Sequence, residues 1–189
     1  MISAVGCLVL AAGASRRFGG PKLLHTMADG RPLIQHTLQA ICESGLEVVV
    51  VHKPNDTALI NAIAPFDITL VENNAEAPNS GMGTSIAAGV AATAHWQGWL
   101  ICLSDMPFIK TVTYQQLATC LQHHPMVIPC LGNQKGHPRG FQHSHRQALL
   151  NLKGDQGPKQ LIQSSNDTYY LPVEDSGVIQ DIDRPEDLI

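Results

Sequence analysis

Short apolar runs of five to seven residues, rich in Val, Ile and Leu, alternate along the chain with stretches whose apolar positions recur every three or four residues. Runs of that length bounded by turn residues predict buried strands, at Ala4 to Leu10, Leu46 to His52, Ile68 to Glu72, Trp99 to Leu103 and Met126 to Cys130. Between the first two, Leu33, Ile34, Thr37, Leu38 and Ile41 mark one face of a helix that has Pro32 near its start and Gly45 just past its end. Ala58, Leu59, Ala62 and Ile63 predict a second, shorter helix, and Ile86, Val90 and Ala94 a third that begins at a glycine-rich turn. A fourth carries Leu117 and Leu121, with Thr113 and Gln116 at capping-box spacing ahead of them. Strands alternating with helices in this way predict an α/β domain with a mostly parallel sheet, and right-handed crossovers place the helices on both faces.

Beyond Leu131 the periodicity weakens, with turn signals at Gly132-Asn133, Gly136-His137-Pro138 and Gly154-Asp155-Gln156-Gly157. Two connections, Ala11 to Lys22 and Asn73 to Gly83, are long and have little to bury, and long loops in compact domains usually carry function. The length of 189 residues and the 44% hydrophobic content fit one domain over residues 1–189. A net charge of −4 argues against a nucleic-acid or anionic-membrane partner. The sign is uneven: residues 165–189 hold seven acidic side chains and one basic, so the acidic end needs its own explanation. Five cysteines without a CxxC pair read as small buried hydrophobes in a reducing compartment, and the start of the chain has no basic segment of a secretory signal, so a cytoplasmic location is expected. Trp96 and Trp99 are expected to pack in the core, and the clustered histidines to sit on polar surface.

The strongest chemical signal follows the first strand: Leu10-Ala11-Ala12-Gly13-Ala14-Ser15-Arg16-Arg17-Phe18-Gly19-Gly20-Pro21-Lys22. Small residues let backbone N–H groups approach an anion, Arg and Lys add charge, and the position after a strand is the carboxyl edge of the sheet. The pattern is neither a Walker A loop nor a dinucleotide fingerprint. Asp105, just past the buried Leu100-Ile101-Cys102-Leu103 run, lies at the same edge, where a carboxylate can hold Mg²⁺. Asp181 and Asp183 share one face of an extended segment and can complete a metal site. Asp181 is the stronger candidate of the two, because Asp183 also has capping-box spacing with Glu186. Glu174, Asp175 and Asp187 are expected to be solvated surface.

The stretch from Leu10 to Lys22 resembles the opening motif of the MobA-like NTP transferases, small nucleotidyltransferases that mature the molybdenum cofactor. Gly81-Met82-Gly83-Thr84-Ser85, Leu103-Ser104-Asp105-Met106-Pro107, Gly136-His137-Pro138, Gly154 to Gly157 and Asp181 to Leu188 are similar to that family's later motifs, in order. The resemblance implies a Rossmann-like three-layer α/β/α fold. Within the group, Leu-Ala-Ala-Gly at residues 10–13 with the 81–83 and 136–138 segments is similar to the molybdenum cofactor cytidylyltransferases, which implies CTP and a molybdenum-pterin cofactor as substrates, Mg²⁺ as cofactor and, as a possible partner, an acceptor molybdoenzyme.

In roles, the resemblance together with the electrostatics implies that Leu10, Ala11, Ala12, Gly13, Ser15 and Arg17 bind the nucleotide, the backbone from Ala11 to Ser15 with Arg17 holding the β- and γ-phosphates. Lys22 then stabilises charge at the α-phosphate, and Arg16 is surface. Arg17, Lys22 and Asp105 form the expected catalytic set. Asn73, Asn74 or Asn79, with Gly81, Met82 and Gly83, are expected around base and ribose, Thr84 or Ser85 as a helix cap, and His137, Asp155 and Lys159 on the acceptor side. Arg139-Gly140 and Pro158-Lys159 depart from the usual pattern of the branch and bear on the acceptor's identity. A guanylyl or sugar-phosphate transferase of the same fold and a non-catalytic cofactor carrier are the alternative readings.

Overall fold

The computed structural model describes residues 5–13, 18–73, 81–165 and 167–187. The five expected strands are present, each differing from its expected range by one residue at one end, with Ala4 outside the described residues: β1 (Val5–Leu10), β2 (Glu47–His52), β3 (Thr69–Glu72), β4 (Gly98–Leu103) and β5 (Met126–Leu131). Three more, which the weak periodicity after Leu131 does not reveal, are β6 (Gln134–Lys135), β7 (Arg139–Gln142) and β8 (Thr168–Pro172). All eight join one sheet in the order β3-β2-β1-β4-β7-β5-β6, with β8 also paired to β5. β1 runs parallel to β2 and β4, β2 to β3, and β5 to β8; only β6 and β7 are reversed. The sheet is therefore mixed but mostly parallel, and the inserted β7 joins its two parallel parts.

The helices are α1 (Leu33–Glu43), α2 (Thr57–Ile63), α3 (Met82–Ala92), α4 (Thr111–Leu121), α5 (Arg146–Leu150) and α6 (Lys159–Ser164). Because successive strand residues point to opposite faces, each central strand feeds two cores. Cys7, Val9, Val48, Val50, Leu100, Cys102 and Val127 pack with α1, α2 and α4 on one face. Leu8, Val49, Val51, Trp99, Ile101, Met126 and Ile128 pack with α3, α5 and α6 on the other. This is the three-layer α/β/α arrangement that the resemblance implies. The predicted α1 face is wholly buried, and Gly45, at φ +78°, ends that helix with its N–H on the Cys42 carbonyl. Ala94 is exposed and lies beyond the end of α3. Trp96 and Trp99 are both buried, their indole N–H groups donating to Glu47 and Thr93. Among the described residues no helix is long and apolar enough to cross a membrane.

Two expectations about polar residues are corrected here. Thr113 is no N-cap but the third residue of α4, and its hydroxyl donates to Asp175 Oδ2 at 2.6 Å. Asp175 is not solvated: 3% exposed, it accepts from Lys110 N at 2.9 Å and from Gly177 N at 3.0 Å as well. A carboxylate from the acidic end thus satisfies the start of α4, work that a local cap usually does. It also pins the 3-10 turn Ser176–Ile179 against the loop after β4, where the Gly177 backbone lies on that of Phe108 and Ile109. Asp175→Ala leaves three donors without their acceptor and is expected to lower unfolding free energy by about 3 kcal/mol, Thr113→Val by about 1 kcal/mol. Urea denaturation measures both, and equal losses would contradict the shared role of the carboxylate.

Candidate active site

Six parallel strands end at one edge of the sheet, and the reversed β7 begins there. Ala11 continues β1 for one more bond, its N–H on the Val51 carbonyl at 2.8 Å, and Ala12 and Gly13 then leave the sheet. Ser104 fastens this exit to that of β4: its hydroxyl donates to the Leu10 carbonyl at 2.7 Å, and its own carbonyl accepts from Thr37 of α1 at 3.0 Å. Ser15, Arg16 and Arg17 lie outside the described residues, as do Asn74 and Asn79. The chain resumes at Phe18 and turns at Gly19, whose φ of +76° favours glycine, before a 3-10 turn over Lys22–Leu24.

Lys22 is buried, and its ammonium is the electrostatic centre of the site. Nζ donates to Asp105 Oδ2 at 2.5 Å and to the Ile182 carbonyl at 2.7 Å, and lies 3.7 Å from Asp183 Oδ1. Ile182 N in turn donates to the Asp105 carbonyl at 3.0 Å, so the run from Asp181 to Asp183 lies along the end of β4. Ile182 is buried between its two acidic neighbours, the alternation expected of an extended segment. Asp183 turns toward Lys22, whereas Asp181 lines a neighbouring cavity. Three acidic, His or Cys side chains do not gather as a metal-binding group among the described residues; two carboxylates and a carbonyl converge on one cation instead. The expected capping box of Asp183 with Glu186 is corrected as well. Asp187 Oδ2 accepts from Arg184 N and Asp183 N, closing a single 3-10 turn over Pro185–Asp187 in place of a longer helix. Those two bonds hold the Asp187 carboxyl below the usual range, so it is a turn residue and not merely solvated surface.

Gly81 and Gly83, on the nucleotide side of the expectation, pack against the Gly154 loop on the acceptor side. Gly83 N donates to the Gly154 carbonyl at 2.8 Å. A Cβ at Gly81 would overlap that carbonyl and Asp155 Oδ1, and one at Gly83 would come within 2.6 Å of the Gln156 carbonyl oxygen. The glycines are needed for this close approach, and they place Asp155 at the start of α3. Met82 between them is exposed, and Lys159 is exposed at the first turn of α6. Asn73 is buried, with Nδ2 donating to Ser85 Oγ at 2.9 Å, which ties the end of β3 to α3. Thr84 and Ser85 do not cap the helix: they sit inside it, and both hydroxyls donate to the Gly81 carbonyl.

His137 reaches the site through a bulge. Between the pairs Cys130–Lys135 and Val127–Gly140, β5 has two residues where the opposing strand has four, Gly136 to Arg139. The His137–Pro138 peptide is cis, and His137 N donates to the Val178 carbonyl at 2.8 Å instead of to β5. The ring lines a cavity of about 460 Å³ with Leu103, Met106, Lys135, Val178 and Asp181. Burial, and secondarily the charge of Arg139, push its pKa down to about 3. Ser104, Thr37, Lys135 and the Ile182 carbonyl were not singled out from sequence. Ser104 and Ile182 stand inside motifs that could have flagged them.

A strand-to-loop exit at the carboxyl edge, a lysine paired to an aspartate past the fourth strand, and a mostly parallel three-layer sheet are the arrangement of nucleotide-binding α/β proteins. The model of the MobA-like NTP transferase domain matches residues 7–169, and the chain belongs to that family, whose members are nucleotidyltransferases. It is similar to the molybdenum cofactor guanylyltransferase of Desulfosudis oleivorans, 29% identical over 68% of this chain and 60% of that protein, so the match spans less than two thirds of that relative. It is also similar, nearly end to end, to the purine catabolism protein PucB of Bacillus subtilis, at 28% identity over 94% of this chain and 91% of that one. Among solved structures, Rv0371c of Mycobacterium tuberculosis has the same fold, with a TM-score of 0.84 and 25% identity over 99% of this chain and 96% of that one.

His137 is neutral when buried and titrates near 6.5 when unfolded, so the unfolded state takes up its proton first as pH falls. Its contribution to stability is full above pH 6.5, declines between 6.5 and about 3, and is constant below. Stability measured against pH for wild type and His137→Gln is expected to converge through that window. A constant difference would contradict the buried neutral ring.

Proposed function

We propose that the chain transfers CMP from CTP to the terminal phosphate of a molybdenum-bearing pterin, releasing pyrophosphate. The observation that carries this reading is the convergence of Lys22, Asp105 and Asp183 beside the loop that leaves β1. An acceptor phosphate oxygen forms the new bond to the α-phosphorus, the bond to the pyrophosphate oxygen breaks in line, and no protein nucleophile is required. The work left to the protein is to position two anions and neutralise them. In this reading the backbone from Ala11 to Ser15 and the Arg17 side chain hold the β- and γ-phosphates, and Lys22 faces the α-phosphate. Asp155, seated at the start of α3, and Lys159 approach the acceptor.

Mg²⁺ fits the donor set, because carboxylate and carbonyl oxygens are its preferred ligands and two carboxylates already converge on one cationic centre. Asp105 and Asp183 would hold it, with Asp181 at the cavity side. When bound, the ion neutralises phosphate charge and polarises the α-phosphoryl group. Support for a molybdenum-pterin acceptor comes from the Desulfosudis relative's name, and its guanylyl specificity makes GTP the competing nucleotide. Support for CTP comes from the resemblance of residues 10–13, 81–83 and 136–138 to the cytidylyltransferases. A product of this kind would then pass to an acceptor molybdoenzyme.

Incubation with molybdenum-loaded pterin, Mg²⁺ and each of the four NTPs in turn, followed by pyrophosphate release and product mass, tests the reading. Turnover with CTP alone and a cytosine dinucleotide mass are expected; turnover with GTP alone would assign guanylyl transfer, and silence with all four would refute the acceptor. Asp105→Asn is expected to lower kcat/KM by about 10²-fold, and Lys22→Ala to depress kcat more than it raises KM.

A further inference from the structure

We propose that Arg139, with His137 beside it, is the receptor for the phosphate group of the acceptor substrate. The inference deepens the transfer reading above and rests on it for the word acceptor. Arg139 is the first residue of β7 and pairs with Ile101. Because β7 runs against β4, its beginning lies near the end of β4, four residues ahead of Asp105 in that strand's direction. The antiparallel insertion thus starts β7 toward the edge where the parallel strands deliver Lys22 and Asp105, with Arg139 on the sheet face that Ile101 shares with α3, α5 and α6.

Arg139 is half-buried, and its guanidinium makes no hydrogen bond or ion pair among the described residues; Nε is fully buried without an acceptor. Two residues earlier, His137 Nδ1 is buried and unpartnered as well. A buried cation with no counter-charge is costly, and a structural arginine normally meets a carboxylate or several carbonyls. Lys135, the cation that lines the cavity, is already engaged, donating to Tyr170 OH at 2.9 Å and lying over that ring. Five fixed N–H donors in a planar fork match a phosphate, and the neutral His137 supplies a hydrogen-bonding nitrogen at no cost in charge. The ligand class is a phosphate monoester, and His137 marks where its site adjoins the cavity lined by Met106 and Val178.

The group bound at Arg139 could come from the acceptor or from the nucleotide, and binding experiments separate the two. Methyl phosphate, a monoester without base or ring, is titrated by calorimetry into the full chain in Mg²⁺, with and without saturating CTP; CTP is titrated separately in Mg²⁺. Wild type is expected to bind methyl phosphate in both states. Arg139→Gln should weaken that binding about tenfold or more while leaving the CTP affinity within about twofold, and Arg139→Lys, which keeps the charge but not the fork, should fall between Gln and wild type. Unchanged methyl phosphate affinity in folded Arg139→Gln overturns the proposal. So does an equal loss of CTP affinity, or full displacement of methyl phosphate by CTP in wild type, since either assigns the guanidinium to the nucleotide. If Arg139→Gln does not fold, the wild-type displacement and Arg139→Lys decide. A chain that binds methyl phosphate through Arg139 but no CTP keeps the subsite and loses only the nucleotide assigned above.

Discussion

One buried ammonium group organises the carboxyl edge of this protein. Removing a lysine from water is expensive unless its donors are met, and Lys22 meets them with a carboxylate at the end of β4, a carbonyl in the C-terminal run and a second carboxylate beside it. Three segments far apart along the chain, Lys22 lying 83 residues from Asp105 and 160 from Ile182, are held to one point. Neither Asp105 nor the Asp181–Asp183 run is covered enough by neighbours to be fixed by packing alone, apart from Ile182, so the ion pair and the Asp105–Ile182 backbone bond set their positions together. The same requirement explains the acidic end of the chain. Asp175 and Asp187 anchor backbone turns on either side of the run, while Asp183 shares the lysine.

The reversed strand β7 has a comparable effect on the other half of the site. A sheet of parallel strands alone would present only strand ends at this edge. Inserting β7 between β4 and β5 adds a strand beginning, and the bulge at Gly136–Arg139 turns His137 off the ladder and into the cavity. On the α3 side the contact is between loops, where Gly81 and Gly83 permit the Gly154 loop to lie directly on the first turn of the helix. Segments assigned to nucleotide and to acceptor therefore touch, as in-line transfer between two bound phosphates requires.

The layered α/β architecture was legible because its central strands are buried on both faces and its helices on one, which writes two distinct periods into the chain. What followed Leu131 was not legible. β6 has two residues, β7 contains a glycine and polar ends, and β8 lies on an edge with Tyr169 and Tyr170 exposed, so none shows a run or an alternation. Local motifs located Lys22, Asp105 and the 181–183 run, but not that lysine and aspartate are bonded to each other, because a contact across 83 residues leaves no trace in spacing. The same limit explains Asp175: a carboxylate that caps a helix 65 residues earlier cannot be told from a solvated one by its neighbours in sequence. Thr113 and Ser85 were misassigned for the opposite reason, since cap-like spacing also occurs inside a helix, where hydroxyls bond to other partners.

The organising role of the buried pair is tested most directly by a double-mutant cycle between Lys22 and Asp105. Unfolding free energies of wild type, Lys22→Met, Asp105→Asn and the double variant are measured by urea denaturation at one pH and ionic strength. The side chains are only 10% and 21% exposed, so their coupling is expected at about 1 to 3 kcal/mol, with each single variant losing stability that the second substitution largely restores. Additivity within about 0.3 kcal/mol would show that the two residues do not hold each other, and that the carboxyl edge is assembled by something else.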